Sequence, residues 1–222
     1  MSYITSRRLI LLKFEGFDYR RYSIATQAQL EKVLATNALP LRNQYEDTGL
    51  VLRSADGANE YLARNLIDQI KARGIKFGSP IMIPLADTQV VNDQNSKYGL
   101  AFKLNDGTRL VDASILESDG RFTAQDIDAN TGLPTKLGRE GRLSYTRDSG
   151  LSRLFLSGDL NLFSSYEYLA LSDDNGRVVV VRDGVAGADL AKYTAEINAE
   201  FEGQKSELLA RRNEALKVMR GK

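Results

Sequence analysis

Apolar residues in the middle of the chain come in short runs separated by turn residues, and residues 98–184 set the expected architecture. GLAFKL at 99–104 leads into Asn105-Asp106-Gly107 and then TRLVDASIL at 108–116. YEYLAL at 166–171 leads into Asp173-Asp174-Asn175-Gly176 and then RVVVV at 177–181. Asp-Gly and Asn-Gly supply the positive φ angles of tight hairpin turns, so each site predicts a β-hairpin. Between them, 143–146, 151–156 and 160–163 read as short strands, broken at Asp148-Ser149-Gly150 and Ser157-Gly158-Asp159. Short strands at this regular spacing predict an antiparallel β sandwich or small barrel. The run 178–181 has no polar alternation and is expected centrally, buried on both faces.

Upstream the period changes. RRLILLKF at 7–14 and FDYRRYSI at 17–24 read as a strand pair around Glu15-Gly16. Thr26 and Gln29 match a capping box, and Leu30, Val33 and Leu34 follow at helical spacing, predicting a helix that ends near Asn37. A short strand is expected over 50–53. Asp56 is the expected N-cap of a helix over 58–73, with Leu62, Leu66, Ile67 and Ile70 as its apolar stripe and Gly74 as its stop. IKFGSPIMIPL at 75–85 is extended, and Pro80 and Pro84 confine it to a sheet edge or an irregular arm. The polar stretch VVNDQNSK at 90–97 reads as a connection and the best domain boundary.

Beyond residue 184, Leu190, Tyr193, Ile197, Phe201, Leu208, Ala215 and Met219 recur every three or four residues and predict a long helix over 188–220. The fold class expected is thus α+β. It comprises an N-terminal α+β sub-domain at 1–90, an antiparallel β domain at 98–184 and an amphipathic C-terminal helix at 185–222. Such a helix is longer than the body needs for cover, so Ile197, Phe201, Leu208 and Met219 are expected at a partner interface.

Composition removes chemistry more than it adds any. The 222 residues contain no histidine and no cysteine. Ser-His-Asp and Cys-His nucleophile systems, His-based metal sites, thiolate sites and disulfides are therefore excluded. No Gly-x-Gly occurs, and the one Gly-Lys pair is Gly221-Lys222, so the glycine-rich phosphate motifs are missing. With 30 Lys plus Arg against 29 Asp plus Glu, overall charge gives no general case for nucleic acid or an anionic membrane. The apolar run 9–12 is far shorter than a signal-peptide core, and no run approaches a membrane span. The expected location is cytoplasmic, or the virion if the source is a phage.

Two local patterns carry candidate chemistry. Asp126, Asp128 and Asn130 place oxygen side chains at alternate positions ahead of Gly132, as a calcium loop does. Glycine comes one place late, however, and Leu137 stands where a bidentate Glu belongs. The expected cofactor is none, with a divalent cation such as calcium as the alternative. Lys136, Arg139, Arg142, Arg147 and Arg153 cluster around Tyr145 in a glycine-containing stretch, where the cations suit a phosphate backbone and the ring suits a base. Phe102 and Phe155 are further candidate stacking surfaces.

Missing catalytic side chains and near-neutral charge favour a non-enzymatic structural or interaction protein. It would be a subunit of a larger assembly, of phage or virion type among others, that meets protein partners or itself through the C-terminal helix and an edge strand. The alternative is a nucleic-acid-binding module using loop 136–153. A third reading is a carboxylate or metal-assisted enzyme drawing on Asp87, Asp93, Asp106, Asp112 and Asp119.

Overall fold

The structure, a computed structural model, describes residues 22–36, 45–78, 80–169, 176–177, 179–182 and 206. The chain divides into two compact units, Met1–Asp183 and Gly184–Lys222. The described elements of the first unit are, in chain order, β1 (Tyr22–Ile24), α1 (Gln27–Ala35), β2 (Tyr45–Leu52), α2 (Glu60–Ala72), β3 (Ile81–Pro84), β4 (Thr88–Asn92), β5 (Leu100–Leu104), β6 (Val111–Asp112), β7 (Gly120–Phe122), β8 (Arg142–Tyr145), β9 (Leu151–Leu156), β10 (Leu162–Phe163), β11 (Gly176–Arg177) and β12 (Val180–Arg182).

One sheet organises the unit. Seven strands run in the order β6-β3-β2-β9-β10-β8-β7 and curl into a half-barrel, with β11 pairing in parallel to the start of β2. The spine is β2 against β9, from Leu52 opposite Leu151 to Glu46 opposite Leu156. Alternation along these strands sends Leu50 and Leu52 to one face and Val51 to the other. On the first face Leu50, Leu52, Ile81, Ile83 and Leu151 meet Leu62, Leu66, Ile67 and Ile70 of α2 and Leu100, Phe102 and Leu104 of β5. The second face is filled by Val51, Met82, Leu154, Leu156 and Leu162 with Leu30 of α1, Leu116, Phe122 and Leu133. The sheet has no solvated face here: β2 (YEDTGLVL) and β9 (LSRLFL) are buried along nearly their whole length, their polar residues included.

The expected fold class is overturned. The described residues are mostly strands in one curled sheet with two helices, and not an α+β sub-domain joined to a separate antiparallel sandwich or small barrel. The sheet is also mixed, because β10 pairs in parallel with β8. Strands from both sides of the 90–97 connection share it. A long C-terminal helix is not shown. Residues 185–222 lie outside the described residues apart from Ser206, and so do the expected interface residues Ile197, Phe201, Leu208 and Met219.

The first predicted hairpin does not form as read. β5 pairs backward with β4, not forward across Asn105-Asp106-Gly107, and the polar 90–97 stretch is the hairpin's own loop. The Asn105 turn is tied to Asp87, whose carbonyl accepts from the Asn105 N–H at 3.0 Å and the Thr108 hydroxyl at 2.8 Å. That sends the chain away to pair β6 with β3. At the second site, 170–175 lies outside the described residues, while β12 pairs with β1 in a two-stranded ribbon instead of running through the sheet centre. The expected pairing of β1 with a strand at 7–14 falls on residues not described. β3 is not an edge strand either, since it sits between β2 and β6, and Pro84 is accommodated at its last position.

The helices follow local rules more closely. α1 has the capping box at Thr26 and Gln29. α2 begins after Asn59 instead of Asp56, and Asn59 holds the left-handed conformation at φ 56° with no side-chain cap. Tertiary contacts decide this. The Asn59 amide donates to the carbonyls of Leu151 (2.8 Å) and Glu167 (2.7 Å) and accepts from the Tyr98 hydroxyl (2.9 Å), while Asp56 pairs with Arg64.

Candidate functional site

The first face of the sheet carries a row of aromatic rings beyond the end covered by α2. Phe163 stands opposite both Tyr145 and Phe155 in register, so the three side chains share a face. Their rings stack across the strands, with centroids 4.5 Å apart for Tyr145 and Phe163 and 5.2 Å apart for Phe163 and Phe155. Tyr45 meets Phe155 edge-on at 5.9 Å, and Tyr166 meets both Phe155 and Phe163 edge-on. Rings stacked on one another offer edges outward and hold few open faces for a base.

Arg153 lies in the same row. Its guanidinium sits 4.9 Å from the Phe155 ring centroid and 5.2 Å from that of Tyr45, and donates to Asp47 Oδ1 from Nε at 2.9 Å and to both Asp47 oxygens from Nη2 at 2.7 and 2.8 Å. A β-bulge makes this pair. The register slips between Asp47 and Gly49, so Asp47 faces Phe155. Had the register of Gly49–Leu52 continued unbroken, Asp47 would stand opposite Leu156, on the far face from Arg153. Thr48, freed by the bulge, is buried and donates to Gln27 Oε1 of α1 at 2.7 Å.

The other members of the basic cluster are mostly engaged too. Arg142 donates to Glu31 Oε2 at 2.8 Å and lies 4.6 Å from the Phe122 ring centroid. Arg147 donates to the Ser165 carbonyl and the Glu167 carboxylate. Lys136 reaches Asp126 at 3.3 Å with its side chain still 77% exposed, and Arg139 is exposed. Of the six residues read as a nucleic-acid contact, only Lys136 and Arg139 have exposed charges, and that of Lys136 is paired with Asp126.

Glu31 joins α1 to the sheet through Arg142 and Gln27. Burial pushes its carboxyl above the ordinary range, against the lowering pull of Arg142. A raised folded-state pKa means the fold binds this proton more tightly than the unfolded chain does. The resulting stability is present at acidic pH and is lost as pH rises through the raised value. Glu31→Gln removes this titration. In paired urea melts from neutral pH downward, wild type should gain stability relative to Glu31→Gln. A constant difference across the series would contradict this.

Asp126 and Asp128 do local work. Asp126 Oδ2 accepts from the Thr123 N–H (2.8 Å) and hydroxyl (2.7 Å), and Asp128 Oδ1 accepts from the N–H groups of Asn130 (3.0 Å) and Thr131 (2.8 Å). These bonds, the backbone N–H groups first, hold both carboxyls below their usual range. A cation would compete with those donors for the same oxygens. Asn130 contributes its backbone N–H, and its side chain is exposed. Asp87, Asp93, Asp112 and Asp119 each accept from backbone N–H groups in separate turns. Among the described residues no three acidic side chains gather as a metal site would require.

Two features were invisible in the sequence. Arg53 is buried and held by neutral oxygens, those of Ser152 (2.9 Å), Leu116 (3.1 Å), Thr146 (2.7 Å) and Ser164 (2.7 Å), tying β2 to β9 and to the chain beyond β8 and β10. Burial first, then the nearby Arg147 charge, lowers its pKa to about 10, so it stays charged at neutral pH. The second is an open groove of about 620 Å³ lined by Asn59, Tyr61, Arg64, Asn95, Lys97 and Tyr98. Asn59 links it to the aromatic row through the Glu167 carbonyl, next to Tyr166. Among the described residues the exposed large hydrophobics are Tyr61 (42%), Ile75 (40%), Tyr166 (42%) and Tyr168 (60%); Tyr61 lines the groove and Tyr166 belongs to the aromatic row.

Compared with known proteins, the chain matches no protein family, no curated protein and no solved structure. No helix among the described residues is long and apolar enough to cross a membrane.

Proposed function

We propose that the protein is a non-enzymatic interaction protein, a subunit of an assembly, and that the tyrosine-bearing face is one of its contacts. The observation that supports this reading is the exposure of Tyr166 in an aromatic row whose nearby charges are already paired, with Tyr168 exposed two residues on and Tyr61 exposed at the groove that Asn59 joins to the row. Tyrosine supplies large, stiff contact area at low entropic cost, and paired charges leave no uncompensated group to desolvate on docking. The same pairing weighs against a phosphate-binding loop at 136–153, and the dispersed carboxylates weigh against a carboxylate enzyme.

Light scattering of the full-length chain across a concentration series tests it. Association is expected, and Tyr166→Ser combined with Tyr168→Ser should weaken it by about tenfold or more, the effect of losing central tyrosines from an interface. A chain that stays monomeric throughout would overturn the reading. Salt-sensitive binding to single-stranded oligonucleotides, lost in Lys136→Ala with Arg139→Ala, would put the nucleic-acid reading in its place.

A further inference from the structure

The hairpin β4–β5 has two edges, and the fold treats them differently. Its register pairs Thr88 with Leu104 through to Asn92 with Leu100. Just outside the ladder, the Asn105 N–H donates to the Asp87 carbonyl and the Asp93 N–H to the Gly99 carbonyl, each at 3.0 Å. Antiparallel pairs alternate between bonded and non-bonded positions. Those two outer pairs therefore set Gln89 and Val91 as the residues bonded to β5. The N–H and C=O groups of Val90 and Asn92, and of Phe102 and Leu104, point away from the hairpin.

On the β5 side α2 closes the edge. Gln69 donates to the Phe102 carbonyl at 2.8 Å and accepts from the Leu104 N–H at 2.9 Å, and Arg73 donates to the Leu104 carbonyl at 2.9 Å. On the β4 side Val90 and Asn92 have no such cover among the described residues. The edges of the large sheet are protected in other ways. β6 is two residues long, and the outer side of β7 is bridged by Arg121 and Gly138. Exposed strand edges are normally blunted by charge, proline, a bulge or shortness. Thr88–Asn92 has none of these. It is a five-residue uncharged TQVVN strand with Gln89 and Asn92 exposed.

We infer that β4 is the docking edge for a second copy of this chain, the strands pairing antiparallel about a two-fold axis at Val91. The Thr88 N–H is already turned to the Leu85 carbonyl, so Val90 and Asn92 are the groups left to bond. Centring the axis on Val91 sets Val90 opposite Asn92 of the partner subunit, and the converse, which uses both residues on both copies. A second copy suits the edge because two uncharged strands meet there with no like charges face to face. The inference rests on the interaction reading and names one contact within it.

The absence of cysteine makes the test direct. At the axis the two Val91 residues form a non-bonded pair with Cα atoms about 4.5 Å apart, within disulfide reach. In the full-length chain, Val91→Cys should give a covalent dimer on mild oxidation, while Ser118→Cys at an exposed site should not. Val90→Pro, which deletes an outward N–H on each copy, should raise the dimer Kd at least about tenfold with circular dichroism unchanged. An oligomeric wild type whose Val91→Cys form does not cross-link, and whose Val90→Pro form associates normally, overturns the β4 assignment alone. If Tyr166→Ser with Tyr168→Ser then dissociates that oligomer, the interaction reading stands without this edge. A wild type monomeric at every concentration overturns both.

Discussion

Asp47→Ala should lower folding stability by about 3–5 kcal/mol, the usual loss when one partner of a buried ion pair is removed. The side chains of Arg153 and Asp47 are 3% and 6% exposed, so alanine would leave a guanidinium out of water between Tyr45 and Phe155 with no counter-charge. The pair itself has little net value, because desolvating two ions offsets most of their attraction. Replacing both, Asp47→Leu with Arg153→Leu, should therefore cost less than Asp47→Ala alone. Urea unfolding of the three variants gives the coupling directly. A loss below about 1 kcal/mol for Asp47→Ala would show that water reaches Arg153 and that the bulge is not there to serve this pair.

Gly132→Ala should cost about 3 kcal/mol or more, whereas Gly74→Ala should cost about 1 kcal/mol, although both glycines hold nearly the same left-handed conformation. The φ angles are 73° and 71°. A Cβ at Gly74 meets nothing within 4 Å, so only the backbone penalty remains. At Gly132 the added carbon would lie 2.7 Å from Ala28 Cα and overlap the Gln27–Ala28 peptide, driving the Asp126–Gly132 turn off the first turn of α1. Thermal or urea melts of the two variants separate conformational strain from close approach. Equal losses would mean that the turn shifts away without cost.

This contrast also says what the calcium-like pattern is for. Alternating Asp126, Asp128 and Asn130 were legible as oxygen-bearing positions, and Gly132 as a place where the backbone must bend. The carboxylates cap their own turn through groups two or three residues away, but that the glycine lets this turn press on α1 depends on a helix a hundred residues earlier. The basic cluster is similar. Charge at Arg142, Arg147 and Arg153 was plain, but Glu31, Glu167 and Asp47 are their partners only because distant strands come together.

The chain by itself determined what neighbours within a turn or two decide. The Thr26 capping box, the Leu62–Leu66–Ile70 stripe of α2, the short strands expected at 143–146, 151–156 and 160–163 and found at 142–145, 151–156 and 162–163, and the exclusion of histidine and cysteine chemistry all follow from residues close in sequence. Only the tertiary structure decided which strands pair, that Asn105-Asp106-Gly107 turns the chain without making a hairpin, and that a bulge at Thr48 brings Asp47 round to Arg153. The reason is that a period of two tells which face a side chain takes but not which strand lies beside it. That choice is made by burial on both faces of a shared sheet, a sum over contacts far apart in the chain.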